Sequence, residues 1–454
     1  MNKWQIESAC ASTQEMFGVQ AVAAAIRRYT GHDPAVRRRV EEGSCVRLRL
    51  DKTLPANAYR LQVSEPTAQG QRVCLSGADE NALMYACMDF VNVYLEKAAQ
   101  SDTSGSPYYR RAIFAGDALP AADQLSAPAV LHRGLWTWGH AIYDVRGYLE
   151  HMARLKLNEI IIWNDFLPVN AREVVQIAHS LGIRVIWGYA WGWDTGIHLD
   201  LSDQAALDRA ADAVVEQYER EYAAAEGDGL YFQSFTETAQ ERVNGRLIAQ
   251  VVVDWVNGIA ARILEKHPRL RLQFGLHASS VKNHLEHIAR TDPRVEIIWE
   301  DCGDFPYHYM PSRQGNPQAT RDFTDRMLSL RPGTVTGAVL KGMICLDWGA
   351  FEHQAGPFVL GHADEETIRA RRERIRPIWR QIQAEWMTWG AVCQATVRQM
   401  AASPVALYAL LEDGLFERDI PLPAALFAGL LWNPEADFSE LLRTCAQRSD
   451  VTLC

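Results

Sequence analysis

From residue 132 onward, the chain repeats one pattern: an apolar strand, then a loop, then an amphipathic helix. In the clearest unit, a strand at residues 158–163 leads through a helix at 171–181, ended by Gly182, into a strand at 183–187. Runs of β-branched residues are typical of strands buried on both faces, and strands joined through helices run parallel. The repetition therefore predicts a parallel sheet covered by helices.

The number of units indicates how the sheet closes. Further strands are predicted at residues 133–138, 229–235, 270–276, 295–299, 335–346 and 425–432. Crossover helices are predicted at residues 203–225, 243–266, 281–290, 319–330 and 366–401. Eight strand–helix units favour a (β/α)8 TIM barrel over an open doubly wound sheet.

The first part of the chain has a different pattern. Short β-type runs at residues 45–50 and 58–63 alternate with helical stretches such as 80–97, which predicts a small α/β domain. Segments 100–107 and 117–128 are rich in Ser, Asp, Ala and Pro, as expected of a connection. Because 454 residues are too many for one ordinary core, we expect an N-terminal domain at 1–128 and a barrel at 129–454.

Charge and composition exclude several classes of partner. With 56 acidic and 46 basic side chains, the formal net charge is -10. The net charge therefore does not attract the protein to nucleic-acid phosphates or to anionic membranes. No segment approaches the length of an apolar membrane span, and the start of the chain has no signal-peptide pattern. We therefore expect a cytoplasmic protein that binds neither nucleic acid nor membranes.

The sequence also lacks the common cofactor and metal motifs. Its nine cysteines form no CxxC pair, and there is no GK[ST] phosphate loop, GxSxG elbow or HExxH helix. We predict reduced thiols, no cofactor and no metal site. The helical stretch 365–400, which carries Trp379, Trp386 and Trp389, fits either packing against the barrel or a homodimer face.

Tryptophans gather at the predicted strand ends. Nine of the 14 lie there or in the loops just beyond: Trp136, Trp138, Trp163, Trp187, Trp191, Trp193, Trp299, Trp348 and Trp432. TIM-barrel active sites lie at the carboxyl ends of the strands. Because an indole ring stacks on the C–H face of a sugar, this set favours carbohydrate binding over simple capping of the barrel.

Polar residues, with carboxylates dominant, are predicted at the same ends: Arg133, His140, Asp144, Asn164, Asp165, Asp194, Gln233, Thr236, Glu237, His277, Glu300, Asp301, Asp304 and Asp347. Glycoside hydrolysis needs an acid to protonate the leaving oxygen and a second group that attacks or stabilises the anomeric centre. Glu237, at the end of the strand at 229–235, is the candidate acid. The alternative is that Glu237 has a structural role as a carboxylate at the start of a helix. Alternation predicts that only one of Glu300 and Asp301 faces the site.

Several segments resemble glycoside hydrolase family 20, the β-N-acetylhexosaminidases: His132-Arg-Gly-Leu-Trp136, residues 152–165, the end of the fourth strand at Glu237, and the preceding α/β domain. The resemblance implies that Glu237 is the general acid/base, that Arg133 holds sugar hydroxyls, and that tryptophans, Trp432 above all, wall the pocket. Family members carry an Asp just before the acid to orient the substrate's 2-acetamido group, whereas this chain has Thr236. Asp301 or Asp347 would then take over that role, or two carboxylates would act directly.

The expected site therefore has two parts. The catalytic residues are Glu237, Thr236 and Asp301. The substrate-binding residues are Arg133, Trp136, Trp138, Trp163, Asn164, Asp165, Trp191, Trp193, His277, Glu300, Asp347, Trp348 and Trp432.

Two alternatives remain open beside a hexosaminidase-like enzyme. The two-domain layout also resembles α-glucuronidases, which implies an inverting enzyme with two carboxylates. A non-catalytic carbohydrate-binding protein would keep the aromatic pocket and lack the acid pair.

Overall fold

A computed structural model describes residues 4–101, 118–164, 166–192, 200–236, 238, 240–277, 280–300, 317–343, 356–411 and 414–449. The chain divides into two compact units. One comprises Met1–Pro128 with Ala153–Lys156 and Ser180–Gly182; the other comprises Ala129–Met152, Leu157–His179 and Ile183–Cys454.

The first unit contains a six-stranded mixed sheet with the strand order β2-β1-β3-β5-β4-β6. Its strands are β1 (Gln5–Glu7), β2 (Ala35–Arg37), β3 (Cys45–Leu50), β4 (Tyr59–Val63), β5 (Arg72–Gly77) and β6 (Ala122–Ser126). Its helices are α1 (Thr13–Thr30), α2 (Glu80–Asp89) and α3 (Leu95–Ser101). Ser12 and Asp79 cap α1 and α2 by accepting backbone N–H bonds in the first turn.

The end of this unit differs from the prediction. Residues 117–128 were expected to form a loose connection, but β6 pairs antiparallel with β4 along its whole length. Polar residues on β6 conceal the strand in the sequence, because an edge strand with one exposed face does not need an apolar run.

The second unit is a closed barrel of eight parallel strands, which confirms the predicted fold. The strands are β7 (His132–Trp138), β8 (Glu159–Trp163), β9 (Arg184–Ala190), β10 (Gly229–Gln233), β11 (Arg271–Leu276), β12 (Val295–Glu300), β13 (Thr336–Met343) and β14 (Val405–Leu411). Each strand pairs with the next in chain order, and β14 closes the ring by pairing with β7. Their carboxyl ends therefore share one face of the barrel.

Helices follow the strands in the (β/α)8 order. They are α4 (Val145–Arg154), α5 (Ala171–Ser180), α6 (Gln204–Gln217), α7 (Ile248–Lys266), α8 (Leu285–Ile288), α9 (Pro317–Leu328), α10 (Glu365–Ala401), α11 (Leu422–Trp432) and α12 (Phe438–Arg448). On α10, Trp379 and Trp386 are buried, whereas Trp389 is 48% exposed. Across the described ranges, none of these helices combines the length and apolarity needed to cross a bilayer.

The predicted eighth strand at residues 425–432 is wrong. This segment belongs to α11, and the eighth strand is the run Val405–Leu411. An apolar run buried on every side has the same sequence pattern as a strand or as a helix. Its eleven-residue length, its three alanines and Pro423 in its first turn favour the helix, which the pattern alone did not reveal.

The predicted start of the helix at residue 243 is also corrected. Arg242–Val243 and Arg246–Leu247 form a small antiparallel hairpin, and α7 begins only at Ile248. Asn244 and Gly245, the two turn residues, both have positive φ angles, of 49° and 81°. Asn-Gly is a strong hairpin signal because both residues tolerate this conformation.

Side chains alternate between the barrel interior and the surrounding helices. The interior cluster includes Trp136, Trp138, Ile161, Trp163, Ile186, Tyr231, Ile298, Val339, Ala406, Tyr408 and Leu410. Gly134 lies on the same side of its strand, where a Cβ atom would come 2.0 Å from the Glu159 carbonyl oxygen. The close approach of β7 and β8 at this point therefore requires glycine.

Charged residues fill the amino-terminal end of the interior. Glu159 is fully buried and accepts bonds from His132 (2.6 Å), Arg271 (2.5 Å) and Tyr408 (2.6 Å), while Arg184 lies 2.5 Å away. Arg271 also forms a two-point ion pair with Glu296, at 2.9 and 2.7 Å. Buried charges are stable only when paired in this way.

Candidate active site

Glu300, the last residue of β12, lies inside the barrel at the carboxyl end of the strand. Its side chain is 4% exposed and accepts hydrogen bonds from four residues. Oε1 accepts bonds from the Tyr231 hydroxyl (2.6 Å) and the Gln233 amide. Oε2 accepts a bond from Lys341 Nζ at 3.0 Å and lies 3.1 Å from His277 Nε2.

These neighbours keep Glu300 ionised. Burial alone raises its pKa, but the charges of His277 and Lys341, together with the bonds from His277 and Tyr231, outweigh burial and hold the pKa well below its usual range. The same burial, reinforced by the Glu300 charge, raises the pKa of Tyr231 well above 10. Tyr231 is therefore a neutral donor, and Glu300 is a fixed carboxylate at physiological pH.

Three of the predicted tryptophans lie beside this cluster. Trp136 stacks on Trp163 at 6.0 Å between ring centroids and meets Trp138 edge-on at 4.7 Å. Both Trp136 and Trp163 contact the Tyr231 ring edge-on, at 5.9 and 6.2 Å. The structure therefore brings together Trp136, Trp138, Trp163, His277 and Glu300 among the predicted site residues.

Other predicted residues lie elsewhere. Arg133 is near the start of β7, where it donates to the carbonyls of Val130 and Leu131 and lies 5.1 Å from the Trp432 ring. Trp432 ends α11, and its carbonyl accepts a bond from Ala129, which precedes β7. Both residues are at the amino-terminal end of the barrel, opposite to the expected pocket, so their predicted place at the site is corrected.

Trp191 is also away from the interior. It is fully buried and stacks at 3.6 Å on Phe232, which alternates with the inward-facing Tyr231 and therefore faces the helices. Trp299 likewise faces outward, against Phe323 of α9. Position at a strand end therefore did not determine direction: Trp191 packs the outer layer of the barrel.

Two polar residues at strand ends are buried without a polar side-chain partner in the described part of the chain. Thr236 is fully buried; its carbonyl accepts the N–H and hydroxyl of Ser280, and its own hydroxyl has no partner. Asn164 is 5% exposed, and both atoms of its amide group are unpaired. The remaining predicted residues, Asp165, Trp193, Glu237, Asp301, Asp347 and Trp348, lie outside the described residues.

The sequence analysis missed Tyr231 and Lys341. Tyr231 was hidden within an apolar strand, although it alternates in register with Gln233 at the same strand end. Lys341 interrupts the apolar strand β13 at a position that shares the inward face with Val339. A lysine inside a barrel strand was the available signal, since such positions are normally apolar.

Another buried carboxyl group lies between the loops that follow β7 and β14. Glu417 is 2% exposed; its Oε1 accepts the Tyr143 N–H at 2.6 Å, and its Oε2 has no partner in the described structure. The neighbouring Arg418 forms an ion pair with Asp144. Burial, with a contribution from the Asp144 charge, raises the pKa of Glu417 to about 8.

Glu417→Gln is expected to stabilise the protein at high pH. In the wild type, the native carboxyl keeps its proton up to about pH 8, whereas the unfolded one loses it above the ordinary glutamate pKa of 4.5. Stability from this group therefore falls as pH rises from 4.5 to 8, by an amount on the order of 5 kcal/mol. Glutamine cannot ionise, so the difference in unfolding free energy between variant and wild type should grow from pH 5 to pH 9 in urea titrations.

The control for this titration is Glu435→Gln, an exposed carboxylate paired with Arg398. That variant should follow the wild-type curve at every pH. Parallel curves for Glu417→Gln and wild type would show instead that Glu417 is already ionised at neutral pH.

The two-domain fold, an α/β domain before a (β/α)8 barrel, matches solved glycoside hydrolases, among them β-N-acetylhexosaminidases. A β-N-acetylhexosaminidase of Streptomyces coelicolor superposes with a TM-score of 0.57 at 11% identity, over 99% of this chain and 93% of that one. A mutant β-hexosaminidase of Streptomyces plicatus, bound to its product GlcNAc, gives 0.55 at 12% identity, over 100% and 92%.

A GH138 enzyme described as targeting pectin rhamnogalacturonan II superposes with a TM-score of 0.56 at 12% identity and covers 96% of this chain. This chain spans 64% of the length of that enzyme. No protein-family model and no curated protein sequence matches the chain. At these identities the comparisons establish the shared fold, and the distant likeness to family 20 is one of architecture.

Proposed function

We propose that this protein is a glycoside hydrolase that removes a terminal sugar, with Glu237 as general acid/base and Glu300 as the second carboxylate. The observation that carries the proposal is the environment of Glu300. A buried, ionised carboxylate lies at the carboxyl end of a barrel strand, beside a cluster of three tryptophans. That combination provides both parts of a glycosidase site, a fixed negative charge and aromatic faces for a sugar ring.

Glu300 suits the second role better than Thr236. Its side chain faces the barrel interior, where Tyr231 and Lys341 hold its carboxylate. Thr236 is fully buried and cannot carry a charge. The Glu300 carboxylate already carries the negative charge needed to attack or stabilise a positive anomeric centre.

The proposed reaction divides the work between the two carboxyl groups. Glu237, protonated, would donate its proton to the leaving oxygen as the glycosidic bond breaks. Glu300 would supply negative charge to the oxocarbenium-like centre, either directly as nucleophile or by directing a water molecule. A separation between the carboxyl groups of about 5 Å fits direct attack, and about 6.5 to 9.5 Å fits inversion.

Two kinds of sugar are proposed as substrates. The fold likeness to β-hexosaminidases makes a terminal 2-acetamido sugar the first to test. The two-domain layout, which also resembles that of α-glucuronidases, makes a uronide the second. An α-glucuronidase-like activity is therefore the alternative.

A panel of aryl glycosides tests the proposal. It should contain α- and β-linked sugars, with and without a 2-acetamido group, together with uronides. The wild type should release the aryl group from at least one of them. Glu237→Gln should be slower by roughly 10²- to 10⁴-fold on substrates with poor leaving groups and less affected on activated ones, because only poor leaving groups need a proton.

Equal rates for Glu237→Gln and wild type with every leaving group would remove Glu237 from the acid role. Failure to cleave any member, combined with saturable binding of sugars by tryptophan fluorescence, would favour the non-catalytic carbohydrate-binding protein. The matched control is Glu241→Gln, a half-exposed carboxylate close by in sequence that pairs with His284.

A further inference from the structure

Lys341 is a buried lysine within the barrel wall. Its side chain is 7% exposed, and its strand neighbours on the inward side include Val339. Removing an ammonium group from water costs several kcal/mol, and packed barrel interiors are built mainly from branched apolar residues. A lysine at this position therefore requires a compensating interaction, which Glu300 provides through the 3.0 Å contact.

The groups that face Glu300 differ in charge. From β10 come the neutral donors Tyr231 and Gln233, and from the end of β11 comes His277, whose Nε2 lies 3.1 Å from Oε2. From β13 comes Lys341. Lys341 therefore reaches Oε2, the carboxylate oxygen that Tyr231 and Gln233 do not hold.

We infer that Lys341 is a positioning residue that holds Glu300 in its ionised form and fixes the orientation of its carboxylate during glycoside hydrolysis. The inference rests on the proposed function insofar as Glu300 takes part in the reaction. Tyr231 and Gln233 hold one oxygen of the carboxylate while Lys341 holds the other, so the plane of the group is set from two sides. The pKa of Glu300, held below its usual range in part by the Lys341 charge, agrees with this role.

The first test is the pH profile of kcat/KM for Lys341→Met and Lys341→Arg. Methionine keeps the length of the side chain and removes the charge, so the acidic limb of the profile should move up by about 1 to 3 pH units. Arginine keeps the charge and should leave that limb near its wild-type position. An acidic limb that stays in place in Lys341→Met, with activity merely scaled down, would overturn the inference.

The control is Lys266→Met, which removes an exposed lysine paired with Glu219 on the outside of the barrel. Its acidic limb should coincide with that of the wild type. This comparison separates loss of the local charge from a change in net charge.

The second test does not depend on activity. Because the native pKa of Glu300 lies well below the ordinary glutamate pKa of 4.5, its contribution to stability is present above pH 4.5 and is lost at lower pH. Urea titrations give the free energy of unfolding. The loss of unfolding free energy in Lys341→Met relative to wild type should therefore be largest near pH 7 and should shrink as pH falls below about 4.5. A deficit that stays constant with pH would reveal a packing role only.

This second measurement also separates the two proposals. If no glycoside is cleaved but the stability loss of Lys341→Met shrinks at low pH, the proposed function fails while the charge interaction between Lys341 and Glu300 stands. If Lys341→Met does not fold, the double variant Glu300→Gln/Lys341→Met should recover folding, because it leaves no uncompensated charge. Loss of folding in the double variant as well would overturn the coupling.

Discussion

Glu300→Gln is expected to lower kcat/KM by roughly 10³-fold or more on every glycoside that the wild type cleaves. Glutamine has nearly the same shape, so Tyr231 and Lys341 lose the charge that they face and little of the packing. The negative charge next to the anomeric centre disappears, and it is needed whichever aryl group leaves. Initial rates over a series of aryl leaving groups measure this loss.

The series also distinguishes Glu300 from Glu237. The loss of kcat/KM in Glu300→Gln should be large even for the best leaving groups. The loss in Glu237→Gln should become smaller as the leaving group improves. Glu286→Gln, an exposed carboxylate, is the matched control. If Glu300→Gln kept wild-type rates, Glu300 would not be the second carboxylate.

Chemical rescue would define the role more closely. In Glu300→Ala, added azide can enter the vacated space and attack the anomeric carbon if Glu300 is the nucleophile. The glycosyl azide formed would have the opposite configuration to the substrate. Recovery of rate without a glycosyl azide would indicate that Glu300 directs a water molecule or acts through its charge.

Glu159→Gln is expected to destabilise the protein by about 3 to 5 kcal/mol at pH 7. The carboxylate at the amino-terminal end of the barrel is fully buried and balances Arg271 and Arg184. Without it, Arg271 keeps Glu296 as a partner, but the interior retains more positive than negative charge. Urea unfolding at pH 7 measures the loss.

The pH dependence of this loss has a definite sign. Burial raises the pKa of Glu159, but the bond from His132 and the charges of Arg271 and Arg184 lower it far more, to a value well below 4.5. Its stabilising contribution is therefore fully present above pH 4.5 and is lost gradually as pH falls from that value towards the native pKa. The difference in unfolding free energy between wild type and Glu159→Gln should narrow steadily as pH falls below 4.5.

Glu226→Gln provides the comparison, because Glu226 pairs with Arg172 while both side chains are more than half exposed. Exposed pairs contribute little, so this variant should unfold close to the wild-type midpoint. A similarly small effect for Glu159→Gln would mean that the ionic cluster at the amino end of the barrel is hydrated and not part of the core.

Local pattern was enough to predict the barrel, because the units from residue 158 to 190 carry their strand and helix signals in consecutive residues. It failed at residues 425–432, where an apolar run fits a helix and a strand equally well. It also failed at 122–126, where the signal of an edge strand depends on its partner β4. In both places, the neighbours in space decide the structure.

The site shows the same division. Alternation along β12 predicted that one of two adjacent carboxylates faces inward, and the structure places Glu300 there. Nine tryptophans were predicted at strand ends. Of those that the structure describes, Trp136, Trp138 and Trp163 lie in the interior cluster, whereas Trp191 lies in the outer layer. The sequence shows where a strand ends, but it does not show which of the two alternating faces of that strand points into the barrel. That choice decides which side chains face inward.

The sequence by itself determined the barrel, the preceding domain and a cluster of aromatic and carboxylate residues at strand ends, because periodicity and composition are local properties. Only the tertiary structure decided that Glu300 is surrounded by Tyr231, Gln233, His277 and Lys341, which come from three other strands and the loop ends beyond them. Arg133 and Trp432 were assigned to the wrong end of the barrel for the same reason. The charge of a buried carboxylate depends on distances between residues far apart in the chain, and closure of the barrel sets those distances.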